Sequence, residues 1–287
     1  MDFHMYDALG NDYLILDPNE LDIQINPEVI RLLCDRHHGI GSDGILLGPI
    51  VSGSKLGLRI FNPDGSECEK SGNGLRIFAR YLIDANYVTS REFSIHLLNI
   101  AKDIDISSLC DSNNQLKVGM GSYSFDSIDI SLNTPSKKFF DQIISFDNKD
   151  VRVFCVNIGN PHCVVLGEEV TPEIAQTLGP KICEHSIFSN RTNVQFVNVL
   201  SRDNIEIEIW ERGAGYTFAS GSSSCAAVAV CHELGLVDRQ VIVSMRGGRV
   251  KVDLHLNNTI SLTGAVEAVF SGVFSNDLRN KINNLVN

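Results

Sequence analysis

Two short stretches gather residues that can do chemistry, Ser71-Gly72-Asn73-Gly74 and Ser220-Gly221-Ser222-Ser223. Each sets a hydroxyl beside a glycine and then opens a run with helical spacing, over 75–84 and 225–234. The first N–H groups of a helix have no intrahelical partner, and the helix dipole makes that end positive. Such a start is a seat for an anion, a carboxylate for example. Two starts facing one another would hold one carboxylate between two reactive side chains, Ser71 and Ser220.

The elements that must position these hydroxyls come in pairs. Ser71 and Ser220 stand 149 residues apart, and the same offset carries Gly10-Asn11 onto Gly159-Asn160 and Asn62 onto Glu211. It also carries Cys34 onto Cys183 and Gly44 onto Asn193. Paired glycines and polar residues in one register read as an internal duplication, with a period too long for a solenoid unit. Two similar α/β domains sharing a cleft are expected. The first takes 1–118 together with a returning C-terminal segment, 265–287, and the second takes 119–264. The Asp-, Ser- and Asn-rich segment 99–121 is the expected crossing.

Local signals fill in the two halves. Strands are expected over 5–7 and 13–16 around the turn at Gly10-Asn11. Asn26 caps a helix with Pro27 at its first position, which Gly39 ends. The loop Gly39-Ile40-Gly41-Ser42-Asp43-Gly44 lacks the Lys-Ser/Thr of a P-loop and opens no helix, so backbone geometry explains it better than phosphate binding. Strands follow at 45–47, 56–61, 93–100, 115–118 and 127–132. In the second half the plan repeats: strands at 151–158, 163–166 and 194–200, and a helix capped by Thr171 with Pro172 next. Ile205, Ile207 and Ile209 alternate with Glu206, Glu208 and Trp210, the pattern of a half-buried strand. A closing helix is expected near 270–286, packed back on the first half.

Composition narrows the partners. At 287 residues, with 43% apolar and 21% charged residues, the chain is that of an ordinary globular protein. A net charge of −11 argues against nucleic acid and anionic membranes, which need basic patches. No run approaches the ~20 apolar residues of a membrane span, and no targeting signal is expected from Met1-Asp2-Phe3-His4. The eight cysteines, Cys34, Cys68, Cys110, Cys155, Cys163, Cys183, Cys225 and Cys231, form no C-x-x-C pair. They are expected to be reduced and apolar in surroundings, which suits the cytoplasm. No cluster has metal-ligand spacing, and there is no nucleotide fingerprint or Schiff-base lysine motif. The expected site works without a cofactor or metal, on a small amino-acid substrate.

Around the two helix starts, Glu211-Arg212 ends a strand in a glycine-rich turn. An isolated Glu-Arg is more often a surface pair, but its register against Asn62 favours substrate contact, and the arginine fork suits a carboxylate. Asn11, Asn62, Asn160 and Asn193 each lie at a turn or strand end. Singly they are turn residues; as four turns on two similar halves they form a candidate cage for an amino-acid headgroup. His162 follows Asn160-Pro161 as a candidate helper base, although a lone histidine is more often structural.

At these residues the sequence resembles the diaminopimelate epimerase family over nearly its whole length. The motifs are Ala8-Leu9-Gly10-Asn11-Asp12, Asp35-Arg36-His37-His38-Gly39-Ile40-Gly41-Ser42-Asp43-Gly44 and Phe61-Asn62-Pro63-Asp64-Gly65-Ser66-Glu67. Ser71-Gly72-Asn73-Gly74, Asn157-Ile158-Gly159-Asn160-Pro161-His162-Cys163, Arg191-Thr192-Asn193-Val194 and Trp210-Glu211-Arg212-Gly213-Ala214-Gly215 continue it. The resemblance implies two similar domains, each a barrel-like, mostly antiparallel sheet around a central helix, and commonly a homodimer. It implies a cofactor-free stereoinversion at an amino-acid α-carbon, LL- to meso-diaminopimelate, on the route to lysine and cell wall. One thiolate removes the α-proton and a second thiol returns one to the other face. By the same resemblance the backbone of Gly72-Asn73 and of Gly221-Ser222 would carry the negative charge. It also implies that Asn62, Asn160, Asn193 and Arg212 hold the distal end of the substrate, with Glu211 and His162 assisting near the reaction centre.

The departure from that pattern is at its centre. The family has cysteines where this chain has Ser71 and Ser220, and Thr-Gly-Ala where it has Ser222-Ser223-Ser224. A thiol ionises near pH 8.5 and can be tuned lower at a helix start. A serine hydroxyl is a far weaker acid and normally acts with an adjacent base. Serine at both positions should therefore be slow as an acid–base pair. Replacement of both cysteines in an inactivated epimerase is one history. A divergent serine-containing branch is the other, whether racemase, dehydratase or non-catalytic amino-acid binding protein. The altered flanks, Lys70 and the serine run from 222, favour divergence.

Overall fold

The computed structural model describes residues 2–21, 23–68, 70–100, 102–108, 115–147 and 149–286. Cys110 and residues 109–114 of the expected crossing lie outside the described residues. The chain divides into two compact units, Met1–Val118 with Gly264–Asn287, and Gly119–Thr263.

The first unit opens with β1 (Phe3–Asp7), β2 (Asp12–Leu16), α1 (Pro27–Cys34), β3 (Ile45–Ser52), β4 (Lys55–Phe61) and β5 (Glu67–Cys68). It continues with α2 (Gly72–Asp84), β6 (Glu92–Leu97), β7 (Lys102–Ser108) and β8 (Gln115–Ser122), which runs across the unit boundary. The second unit holds α3 (Ser127–Ile130), β9 (Phe140–Phe146), β10 (Lys149–Asn157), β11 (Pro161–Leu166), α4 (Pro172–Cys183) and β12 (Asn193–Ser201). Then come β13 (Asn204–Glu211), β14 (Gly215–Thr217), α5 (Gly221–Glu233), β15 (Gln240–Met245), β16 (Gly248–Leu254) and β17 (Thr259–Ala265). The chain ends with β18 (Glu267–Gly272) and α6 (Asn276–Val286) of the first unit.

Pairing repeats between the units strand for strand. In the first, β1–β2, β3–β4, β4–β5 and β6–β7 are antiparallel, while β2–β3 and β4–β6 are parallel. In the second, β10–β11, β12–β13, β13–β14 and β15–β16 are antiparallel, while β11–β12 and β13–β15 are parallel. The 149-residue offset carries α2 onto α5 without a slip, 72–84 onto 221–233. Each unit is thus a mostly antiparallel sheet curled about one helix. α5 touches β10, β11, β12, β13, β15 and β16, and residues 223–231 are all buried. A helix enclosed on every side must be apolar all round and slim enough for strands to approach; Ala226, Ala227 and Ala229 serve that need.

The outer faces carry the other helices. Val29, Ile30 and Leu33 of α1 join Phe3, Leu14, Leu16 and Ile45, with Phe274 and Ile282 from the returning C-terminal segment. In the second unit, Ala175, Ile182 and Cys183 of α4 join Val153, Cys155, Cys163, Val194 and Phe196.

Caps set the helix starts as the sequence indicates. Asn26 Oδ1 accepts the Val29 N–H at 2.8 Å, and Thr171 Oγ1 accepts that of Ile174 at 3.3 Å. Two local expectations fail. α1 ends at Cys34, ahead of Gly39, because the Asp35 carboxylate takes the His37 and His38 N–H groups at 2.7 Å and turns the chain. Residues 127–130 form a helical turn rather than a strand. Ser131 sits at φ 60° and the Leu132 N–H reaches back to the Ser127 carbonyl at 3.1 Å. That closure outweighs the alternation of Ile128 and Ile130.

The glycine loop answers to close packing. A Cβ on Gly44 would lie 2.5 Å from the Phe61 carbonyl and 2.6 Å from Tyr13 Cε1. Gly41 holds φ +86°, which a side chain disfavours. Among the described residues no helix is long and apolar enough to cross a membrane.

Candidate active site

Ser71 and Ser220 are the N-cap residues of α2 and α5. In the first unit Ser71 Oγ accepts the Gly74 N–H at 3.0 Å. The first i→i−4 bond is Leu75 N–H to the Ser71 carbonyl, 2.9 Å. The Gly72 and Asn73 N–H groups therefore lie upstream of the helical ladder, at the positive end. In the second unit Ser220 Oγ accepts the Ser223 N–H at 3.4 Å, and Ser224 N–H reaches the Ser220 carbonyl at 3.1 Å. Gly221 and Ser222 occupy the corresponding upstream positions. Ser71 is half-buried and Ser220 buried.

Side chains buttress the first start. Asn73 is buried and donates to Asn11 Oδ1 at 3.0 Å, and Asn11 donates to Asp43 at 3.0 Å. Arg76 is fully buried one turn into α2, donating to Asn73 Oδ1 at 2.8 Å and the Gly72 carbonyl at 3.2 Å. A guanidinium is always charged, so this cation adds to the dipole at the Gly72-Asn73 seat. Arg36 forks onto Asp12 at 2.8 and 3.0 Å and reaches Asp43 at 2.8 Å, which fixes the turn carrying Asn11. The Tyr13 hydroxyl donates to Ser71 Oγ at 3.3 Å. Asn62 closes its own turn, with Nδ2 on Ser66 Oγ at 2.9 Å.

The second start is built differently. Position 162, the counterpart of 13, is a fully buried histidine whose Nε2 pairs with Asn160 Oδ1 at 2.8 Å. Burial pushes the His162 pKa down to about 3, aided by the charge of Arg212 and opposed by Gln195. The imidazole is neutral at ordinary pH. Its Nδ1 and the neighbouring Gln195 Oε1 are buried outside hydrogen-bond geometry among the described residues. Gln195 donates through Nε2 to Ser223 Oγ at 3.1 Å. Gln195 is thus tied through Ser223 to the cap of Ser220, while His162 is tied to Asn160. Asn193 is a staple: Nδ2 on the Pro161 carbonyl at 3.0 Å and Oδ1 under the Arg212 N–H at 2.9 Å. The Arg212 guanidinium holds the Asn190 carbonyl at 3.1 Å, while Glu211 ends β13, half-exposed.

Within the first unit Asn11, Asn73 and Ser71 are joined through α2 and its neighbours; in the second, Asn160 joins His162, and Asn193 joins Arg212. Asn62 stands outside the Asn11–Asn73 network. Sequence reasoning missed Tyr13, Arg76 and Gln195, and saw Ser223 only as part of its helix start. The 149-residue register held a signal for the first, because it sets Tyr13 on His162. Gln195 was marked by being polar between Val194 and Phe196 in a buried strand. A separate surface cleft of about 500 Å³ beside Lys55, His96 and Asp103 touches none of these residues. All the described cysteines but Cys68 are buried. Among the described residues no group of three His, Cys, Asp or Glu could hold a metal ion.

With that geometry in place, likeness to known proteins can be set against it. The family model of diaminopimelate epimerase matches residues 3–125 and 154–269. Diaminopimelate epimerase 2 of Nostoc sp. is 48% identical over 280 residues, covering 97% of both chains. Diaminopimelate epimerase of Microcystis aeruginosa is 36% identical over 282 residues, covering 95% of this chain and 98% of its own. Among solved structures, a probable proline racemase from Agrobacterium radiobacter superposes with TM-score 0.69 at 13% identity, covering 98% of this chain and 95% of its own. That likeness concerns the fold.

Proposed function

Because this chain belongs to the diaminopimelate epimerase family, we propose that it is an isomerase that inverts an α-carbon of diaminopimelate, between the LL and meso forms, without a cofactor. The observation that carries the reading is the matched pair of helix starts. Each caps its helix with a hydroxyl and leaves two backbone N–H groups ahead of the ladder, at residues 72–73 and 221–222. Ser71 and Ser220 hold the acid–base positions, one in each unit. The substrate carboxylate takes the helix N–H groups, where charge that spreads onto it as the α-proton leaves is stabilised. Arg76 strengthens that stabilisation on the α2 side.

Asn62, Asn160, Asn193 and Arg212 bind the distal amino-acid end, with Asn11 and Asn73 bracing the α2 seat. Neutral His162 and Glu211 assist next to the reacting carbon. The acidic chain and its mostly buried cysteines support a cytoplasmic location, and the family supports a homodimer of the 31.6 kDa chain. Elution at twice the chain mass checks the dimer.

The direct test follows deuterium. Incubation of LL- and meso-diaminopimelate with the protein in D2O should place deuterium at the α-carbon as the stereoisomers interconvert. Tight binding with no deuterium at any pH would instead make the chain an amino-acid binding protein. Loss of water from a hydroxylated amino acid would make it a dehydratase.

A further inference from the structure

A serine hydroxyl is a poor proton carrier near neutral pH, so an acid–base role for Ser71 needs a partner. β2 supplies one. Tyr13 is 7% exposed, and its ring lies so close to Gly44 that a Cβ there would stand 2.6 Å from Cε1. The phenol is thereby held with its hydroxyl 3.3 Å from Ser71 Oγ, as donor. Ser71 Oγ also accepts the Gly74 N–H at 3.0 Å. An oxygen that receives two donors has both lone pairs engaged, so its own proton must point to a third group. The same two donors stabilise negative charge on that oxygen.

We propose that Tyr13 is the proton-relay partner of Ser71, a positioning residue that acts on the substrate only through the serine. The proposal rests on the epimerase reading above. In the abstracting direction the α C–H bond breaks as Ser71 Oγ takes that proton, and the proton Ser71 gives up passes to the Tyr13 phenolate. A phenolate and an α C–H become a phenol and an α-carbanion, with serine unchanged. In the returning direction Ser71 delivers its proton to the carbanion while the Tyr13 phenol reprotonates Ser71. A phenol ionises near pH 10, much closer to a thiol's ~8.5 than an alkyl hydroxyl comes. The couple thus approaches the acidity that a single thiol would supply at this position. In the other unit the register position of Tyr13 is His162, which is turned to Asn160.

The experiment compares the parent with Tyr13→Phe, which keeps the ring and its packing. Deuterium exchange on diaminopimelate should fall in kcat on the order of a hundredfold, with KM nearly unchanged and the alkaline rise of the pH profile lost. In a Ser71→Cys background the same change should cost less than about threefold, because a thiolate needs no relay. A substrate-free readout runs alongside: the new thiol of Ser71→Cys, titrated by its thiolate absorbance against the parent, should ionise about one pH unit higher when Tyr13→Phe is added. An unchanged rate, pH profile and thiol titration in Tyr13→Phe overturns the relay while leaving the epimerase reading intact. A parent that exchanges no deuterium, together with the thiol shift between Ser71→Cys and Ser71→Cys/Tyr13→Phe, overturns the epimerase reading and upholds the Tyr13–residue 71 coupling.

Discussion

The starts of α2 and α5 occupy the same register of a duplicated fold yet are wired by opposite means. At α2 the Ser71 hydroxyl receives two donors, Gly74 N–H at 3.0 Å and the Tyr13 phenol at 3.3 Å. A buried cation, Arg76, stands one turn behind. At α5 the hydroxyl of Ser220 receives a longer cap bond, 3.4 Å from the Ser223 N–H. Position 225, matching Arg76, is a buried cysteine. Position 195, matching Leu46, is a glutamine that holds Ser223. Symmetry of backbone is therefore kept while charge and hydrogen bonding are divided: α2 is the better seat for an anion and for a proton donor. Two chemically distinct helix starts suit the proposed reaction, in which one group takes a proton and another returns it.

The strongest way to break this comparison is to exchange the hydroxyls. Ser71→Ala and Ser220→Ala should each lower α-proton exchange by about 10²- to 10⁴-fold. Ser71→Cys and Ser220→Cys together should raise it, since a thiol is poised far nearer neutral pH. Taken singly, Ser220→Cys should give the larger gain, because Ser71 already has Tyr13 to relay its proton. A larger gain from Ser71→Cys in deuterium-exchange rates would reverse the assignment of the two helix starts. No gain from the double change, with substrate binding intact, would remove the acid–base role from both positions.

The repeat itself was legible because duplication leaves glycines and caps in place. Gly10-Asn11 and Gly159-Asn160 still turn, and Ser71 and Ser220 still cap, so one offset reveals both units and both helix starts. The wiring was not legible for a physical reason. Tyr13 and Ser71 are 58 residues apart in sequence, and Gln195 and Ser223 are 28 apart. Nothing in local periodicity reports which side chains meet across a sheet and its enclosed helix. The turn at 127–130 escaped for the converse reason, because alternation of Ile128 and Ile130 suggests a strand when one backbone closure decides otherwise. The asparagines show a third case. Asn62 and Asn193 announce turns, and the structure spends their amides largely on those turns.

A difference in pH response separates the two units next. His162 is held near 3 by burial, against about 6.5 in an unfolded chain. Between those values the unfolded state binds the extra proton, so the stabilisation is complete above pH 6.5 and is lost as pH falls toward 3. From pH 7.5 to 4.5 the loss attributable to this group is roughly 3 kcal/mol. Urea unfolding of His162→Gln at both pH values should show a slope shallower by that amount. Tyr13→Phe, at the same register in the first unit, should leave the slope alone. An equal slope in wild type and His162→Gln would mean that the imidazole is charged or solvated in the folded chain.

Smaller again is the Gln195–Ser223 link. Ser223→Gly should cost about 1–3 kcal/mol, since it strands a buried amide. Adding Gln195→Leu restores the pair found at Leu46 and Gly74, and should recover most of that loss because both polar partners are then gone. The double-mutant cycle should show a coupling of about 0.5–3 kcal/mol. Strict additivity would mean that the two side chains do not share a bond.

The smallest expected effect tests the caps as caps. An N-cap serine is worth about 1 kcal/mol over alanine, with a range near 0.5–2. Ser71 makes the shorter cap bond and also accepts from Tyr13, whereas Ser220 makes a long one. Unfolding free energy should therefore fall by about 1–2 kcal/mol in Ser71→Ala and by about 0.5 kcal/mol in Ser220→Ala. In a Tyr13→Phe background the Ser71→Ala loss should shrink toward that of Ser220→Ala, since the phenol no longer loses its acceptor. Equal losses in both backgrounds would leave α2 and α5 with the same cap energetics. The contrast between them would then rest on Arg76 and Gln195 alone, and the tyrosine would be a packing residue whose hydroxyl has another use.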